Sequence, residues 1–260
     1  MNRIGVIGRG HVGAMVIAQF SQANEVVSYD RTDAGGYPSA ELAVCEFAVI
    51  CVDTPARADG SVDVSNVEAA LEHLPCETVI IRSTVPPGTT ARLAASSGKN
   101  ICFWPEYVGE TAFAASSWEQ FSASDPFIVL GGEPEARQRC VDLLLPIYGP
   151  QARIFQCSSG EAELVKYMEN SYFAAKIIFV NEFRELSESL GLDWHTVREG
   201  WLLDPRVERD HTVAFEKRGF GGKCLPKDLA GILQVAKSQG VELTMLSAVQ
   251  TANQRYNGGS

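Results

Sequence analysis

Short apolar runs alternate with mixed stretches through the first half of the chain. RIGVIG (3–8), EVVSYD (25–30), FAVICV (47–52), TVIIRS (78–83), NICFWP (100–105) and PFIVLGG (126–132) read as strands. Residues 12–22, 39–45, 65–73, 89–97 and 133–146 read as helices. This alternation predicts a mostly parallel sheet covered by helices, and the near-continuous apolar strands suit burial on both faces. The second half changes period. One proline-free helical pattern runs from Ser159 to Leu190, with Ser158 or Ser159 as its cap and Gly191 as its stop. Shorter helices are expected over 193–201, 226–240 and 243–256, and a Gly- and charge-rich loop leads into Cys224. The fold class is therefore α/β. A Rossmann-like domain over 1–157 precedes an all-helical domain over 158–260.

Composition narrows the partners. The chain has 260 residues, 45% of them apolar, and a net charge of −10. That balance argues against nucleic acid as a partner, because a phosphate backbone would be repelled on average. The apolar run at 47–52 is too short to cross a bilayer, and Arg9, Gly10 and His11 interrupt the N-terminal apolar stretch, so neither a membrane span nor a signal peptide is expected. The seven scattered cysteines show no metal-ligand spacing, so no metal is expected. Reduced thiols in a cytoplasm are the simplest reading.

The first strand runs into Gly8-Arg9-Gly10-His11-Val12-Gly13, and a helix opens there. The first glycine permits the tight turn, the second lets backbone approach a pyrophosphate, and the third lets helix and strand close up. Asp30 ends the second strand, placed for a ribose diol, which favours NAD; Arg31 beside it weakens that preference slightly. The turns after the next two strands carry Val52, Thr54, Ser83 and Thr84, and are expected to line the cofactor. Taken alone they are ordinary turn chemistry.

Reactive candidates come later. Glu106 and Glu110 follow a strand end, where acid/base work competes with a plain solvated surface. Lys166 and Asn170 share a helix face at i, i+4 spacing, with Glu163 near it. A partly buried lysine there would polarise a substrate oxygen. In RGFGGKCLPKDLAG (218–231), glycines lead to Cys224 at a helix start between Lys223 and Lys227, a setting that favours thiolate. Asp228 lies one turn on. The other cysteines read as small buried hydrophobes. A nicotinamide cofactor with an activated thiol predicts a four-electron oxidation of a primary alcohol to a carboxylate through a thiohemiacetal and a thioester.

These segments together resemble the UDP-glucose/GDP-mannose 6-dehydrogenase family. The matching stretches are IGVIGRGHVG, ICVDTP with DGSVDVS, IRSTVPPGTT, WPEYVGE, EAELVKYMENSYFAAKIIFVNE, DPRV and GFGGKCLPKD, spanning residue 3 to about 256. The resemblance implies Cys224 as nucleophile, and Lys166 and Asn170 as oxyanion stabilisers that position the sugar. It implies Asp228 as a helper in water activation, and Thr84, Glu106 and Glu110 as further catalytic groups. Lys227 is expected at the cofactor. Phe220 and Gly221 are expected at the substrate, as is Arg206, which reaches it across a dimer interface in similar enzymes. The implied partners are NAD, a nucleotide sugar or smaller primary alcohol, and a second copy docking through the helix 161–190. That helix's Phe173, Ile177, Ile178, Val180 and Phe183 exceed what one core face needs. Two departures stand out. Gly109 replaces a basic residue of the family motif, and two extra residues seat between Arg206 and Cys224. Family members usually add a third α/β domain over the sugar nucleotide, and this sequence stops where the linker to it would begin, so a short form is expected. Whether the Gly-Gly-Ser end is natural stays open. Two other readings stay open: a two-electron β-hydroxyacid-type dehydrogenase, and a catalytically silent NAD-binding partner subunit.

Overall fold

The computed structural model describes residues 1–107, 127–216 and 218–258. Two compact units divide the chain, Met1–Pro55 with Val62–Lys166 and Ala56–Ser61 with Tyr167–Ser260. The division falls inside a helix, later than the 157/158 boundary expected from the change of period.

In chain order the first unit carries β1 (Arg3–Ile7), α1 (His11–Phe20), β2 (Glu25–Tyr29), α2 (Ser39–Leu42), β3 (Phe47–Ile50), α3 (Ser65–His73), β4 (Thr78–Ile81), α4 (Thr89–Ser97), β5 (Asn100–Phe103), β6 (Phe127–Gly132), α5 (Pro134–Tyr148) and β7 (Arg153–Cys157). The strands form one sheet in the order β2-β1-β3-β4-β5-β6-β7. All neighbours are parallel except β5 and β6. Burial on both faces explains the continuous apolar strands. Ala48, Ile50, Val79 and Ile81 join one core, while Phe47, Val49 and Ile80 join the core on the opposite face. The strand β7 is absent from the sequence expectation. It lies half-exposed at the sheet's end, so it lacks the apolar run that marks the others. The strand order reverses at β1, between β2 and β3, and ligands bind such sheets at that switch, beyond the carboxyl ends of the strands.

The helix α6 (Ser159–Ser189) opens at the end of the first unit and runs into the second, which adds α7 (Trp194–Trp201), α8 (Leu225–Ser238) and α9 (Thr244–Gly258). A reciprocal cap starts α6: Ser158 N–H donates to the Glu161 carboxylate at 2.8 Å, and Glu161 N–H donates to Ser158 Oγ at 3.4 Å. Its end is closed by Gly191 at φ 69°, with Leu192 N–H donating to the Ser187 carbonyl at 2.9 Å. Ala174, Ile178, Phe220, Leu229 and Val249 form the core of the helical unit.

The exposed apolar residues of α6 differ from those expected. Ile178 and Val180 are buried, and Phe173 and Ile177 half-buried, because these positions serve the core. Of the five named from sequence only Phe183 is exposed; Met168, Tyr172, Phe179 and Leu186 are exposed with it, and Leu190 follows just beyond the helix. Their three-, four- and seven-residue spacing puts them on one stripe. Among the described residues no helix is long and apolar enough to cross a membrane, and no group of three His, Cys, Asp or Glu side chains could hold a metal ion.

Candidate active site

The glycine turn is built by exclusion. Gly8 adopts φ 93°, and a Cβ there would stand 2.5 Å from the Cys51 carbonyl oxygen. A Cβ on Gly13 would stand 1.9 Å from the carbonyl oxygen of Gly8. Gly10 is different: nothing lies within 4 Å of a Cβ built on it. Gly10 is also the N-cap of α1, where no side chain among the described residues caps the helix and no acid occupies its first turn, so its amides suit an anion. His11 is exposed and Val12 half-buried. Asp30 closes the same turn. Its carboxylate accepts from Arg9 N–H at 2.9 Å and from Thr32 N–H and Oγ at 3.1 and 2.9 Å. These bonds, the one from Arg9 foremost, hold its carboxyl below the ordinary carboxylate value. A carboxylate kept ionised beside the turn suits a ribose diol; Arg31 is exposed next to it. This cradle fits an adenine dinucleotide.

Two hydroxyls tie the neighbouring turns together. Ser83 Oγ donates to the Val52 carbonyl at 2.7 Å, and Thr54 Oγ donates to the Thr84 carbonyl at 2.8 Å. Both are buried, and Thr84 itself is half-buried. Glu106 is buried and ion-paired with Arg82, and it also accepts from the Tyr107 N–H at 2.7 Å. The guanidinium carbon of Arg82 lies over the Trp104 ring, 3.6 Å from its centroid. Arg82 has no part in the sequence reading. Its signal is a charge placed straight after an apolar strand, before Ser83 and Thr84. Glu110 and Gly109 lie outside the described residues.

On α6, Lys166 is buried and its ammonium stands 5.0 Å from the centre of the Tyr107 ring. One turn before it, Glu163 is fully buried and caps α4 from outside, accepting from Gly88 N–H at 2.6 Å and Thr90 N–H at 2.8 Å. Burial raises its carboxyl above the ordinary 4.5, against the pull of those bonds. With a folded value above the unfolded one, its stabilising contribution is complete below about 4.5 and is lost as pH rises through the folded value. Glu163→Ala leaves the buried Thr90 N–H without its partner and frees the exposed Gly88 N–H to water, and is expected to cost about 1–3 kcal/mol. Urea unfolding should show the larger penalty at pH 5 and the smaller one at pH 8.

In the helical unit, Asn170 donates from Nδ2 to Asp228 Oδ2 at 2.6 Å, and Lys227 Nζ meets Asp228 Oδ1 at 2.5 Å. Asp228 is 1% exposed, so both oxygens of a buried carboxylate are engaged. It thereby orients the Asn170 carboxamide and pairs the Lys227 charge. Cys224 is the N-cap of α8, and its carbonyl accepts from Asp228 N–H at 2.9 Å. It is the exposed cysteine of the set. The contrast with the others is chemical: burial pushes the thiol of Cys51 up to about 12 and that of Cys45 up to about 11. Gly221 is exposed, with open space around it. The Phe220 side chain instead lies in the helical core. Arg206 is exposed and forked onto Asp204, at 2.6 Å, in the loop after α7.

The glycine cradle and the strand switch define the Rossmann class of dinucleotide-binding proteins, here joined to a helical unit with an exposed thiol at a helix start. Comparison with known proteins narrows this. Residues 36–148 match the NAD binding domain of the UDP-glucose/GDP-mannose dehydrogenase family, and residues 160–255 match its central domain. The solved UDP-glucose dehydrogenase of Pyrobaculum islandicum is 30% identical, with a TM-score of 0.84 over 98% of this chain and 68% of that one. The chain belongs to the UDP-glucose/GDP-mannose dehydrogenase family. A UDP-D-ManNAc dehydrogenase from Pyrococcus horikoshii follows at 26% identity and a TM-score of 0.81, over 98% of this chain and 69% of that one. The UDP-glucose 6-dehydrogenase of Pseudomonas aeruginosa is 32% identical over 230 residues, 82% of this chain and 49% of that protein. The chain thus spans about half the length of the curated relatives it matches.

Proposed function

We propose that this chain carries the cofactor-binding and catalytic parts of an NAD-dependent nucleotide-sugar 6-dehydrogenase. The reaction is a four-electron oxidation of a primary alcohol to a carboxylate. The observation that carries this reading is the exposed Cys224 thiol at the start of α8, one turn from an Asp228 carboxylate already bonded to Asn170. A two-electron dehydrogenase has no use for that thiol.

NAD+, when bound, accepts a hydride in each of two oxidations. Gly10 and the start of α1 would hold its pyrophosphate and Asp30 its adenosine ribose, and the turns of Val52, Thr54, Ser83 and Thr84 would flank it. Cys224 attacks the aldehyde formed first, giving a thiohemiacetal; oxidation of that adduct leaves a thioester on the same sulfur. Lys166 and Asn170 stabilise the oxyanions. Glu106, ion-paired with Arg82, takes protons through water, and hydrolysis frees the acid and the thiol. Lys227 neutralises Asp228 and so keeps the carboxylate fixed on Asn170. Arg206 would reach the substrate of a second copy. The stripe Met168, Tyr172, Phe179, Phe183, Leu186 and Leu190 supplies the face on which that copy docks.

The test is an NADH-release screen over UDP-glucose, UDP-N-acetyl sugars, GDP-mannose and small primary alcohols. Two NADH per acid formed on a sugar nucleotide is the expected result. Turnover on small alcohols alone, with one NADH each, overturns the assignment. For the dimer, light scattering should report twice the chain mass for the parent protein, and the single chain mass after Phe179→Glu with Phe183→Glu. A monomeric parent at micromolar concentration rules the interface out.

A further inference from the structure

Just before Cys224 the loop is fastened at Phe220, and the fastener lies 33 residues further along the chain. Asn253, on α9, holds both backbone polar groups of Phe220. Its Oδ1 accepts the Phe220 N–H at 2.7 Å, and its Nδ2 donates to the Phe220 carbonyl at 3.0 Å. One carboxamide thus makes the two-bond exchange that a neighbouring strand would make. Asn257, one turn on, adds a third bond by donating from Nδ2 to the same carbonyl at 3.1 Å.

Three further features mark the arrangement as built. Asn253 is 7% exposed, and a buried carboxamide is tolerated only where its polar atoms are satisfied. The preceding Gly219 sits at φ 80°, and a Cβ there would come within 2.6 Å of Asn253 Oδ1, so the loop passes too close for any side chain. The Phe220 ring anchors the same residue in the core with Ile178, Leu229 and Val249. Beyond it Gly221 and Gly222 are exposed, and the chain then enters α8 at Cys224. With Gly221 and Gly222 supplying little stiffness, the position of the thiol over the helix start depends on where Phe220 is held.

We infer that Asn253 is a positioning residue for Cys224: by pinning the backbone of Phe220 it holds the thiol at the amino end of α8. This rests on the reading of Cys224 as the nucleophile. A thiol displaced from a helix start loses the field that favours its thiolate, so it should react more slowly as well as less accurately.

The experiment is iodoacetamide labelling of the full chain at pH 7, mapped by mass spectrometry, with amide exchange read on peptides spanning Phe220. In Asn253→Ala the Phe220 amide should exchange at least tenfold faster and Cys224 should alkylate at least fivefold more slowly, while Cys102 and Cys140, both buried, stay protected. A role in stability alone would open Cys102 and Cys140 to labelling and would not slow Cys224, which is already exposed. Should Asn253→Ala fail to fold, Asn253→Asp decides by the same readings. It keeps the acceptor for the Phe220 N–H but sets a carboxylate against the Phe220 carbonyl. Cys224 labelling within twofold of the parent in a folded variant overturns the inference, as does exposure of all three thiols in both variants. Cys224→Ser with unchanged turnover would instead overturn the nucleophile reading, and leaves the labelling result to stand by itself.

Discussion

Cys224→Ser is expected to lower acid production by at least about 1,000-fold, the scale on which loss of a covalent nucleophile is felt. A serine hydroxyl at neutral pH is far less nucleophilic than a thiol. The first oxidation uses groups other than the sulfur, so it should still occur. The variant should therefore release one NADH per sugar and leave aldehyde in solution or on the protein. Stopped-flow NADH absorbance with aldehyde trapping by hydrazide reads both quantities. Two NADH per acid at near-parent rates would remove the thiol from the mechanism.

The second large effect lies in the glycine turn, where two positions separate folding from binding. Gly13→Ala places a methyl 1.9 Å from the Gly8 carbonyl oxygen, which is backbone and cannot rotate aside. Overpacking of this kind costs about 1–3 kcal/mol, and here the displaced turn is itself the cofactor cradle. Both Tm and NAD+ affinity should fall. Gly10→Ala meets nothing in the protein, and its φ of −63° suits any residue. Its Tm should stay within about 1 °C, since surface changes without a packing conflict are near neutral. Its Kd for NAD+ should rise by about 10- to 100-fold, because the methyl occupies the space a pyrophosphate needs. Calorimetric titration against thermal melts compares the two. If Gly10→Ala binds NAD+ like the parent, the cradle does not hold a pyrophosphate.

How much of this is legible in sequence depends on the range of the force involved. β3 and β4 are readable because each is a four-residue strand buried on both faces, so every position but Thr78 is apolar. β7 is not, because half-exposure at a sheet end removes the pattern. The caps at Ser158 and Gly191 are local and readable. Along α6 the helical period is plain, but which apolar positions face the core depends on α8 and α9. Hence Ile178 and Val180 turn inward while Phe179 stays out. The site divides the same way. Cys224, Asp228, Lys166 and Asn170 stand out by residue type and spacing. Asp228's bond to Asn170 spans 58 residues, and no local pattern encodes it. Phe220 shows what a motif leaves unsaid: the position expected at the substrate carries a ring that the fold uses as core. Arg82 and Asn253 carry no motif at all, and their roles emerge only from what they touch.

The uneven setting of the cysteines also bears on how the protein fails. Cys45, Cys76, Cys102 and Cys140 are buried, and burial raises the thiols of Cys45, Cys51, Cys76 and Cys157 above the ordinary value. Peroxide attacks the thiol that it can reach, so cysteine damage should collect on the Cys224 sulfur. Inactivation would then follow a single-hit time course that tracks one oxygen gained on the Cys224 peptide. Dithiothreitol should reverse it at the sulfenic stage and fail beyond it, so on the proposed mechanism the same sulfur would be both the working part and the fuse.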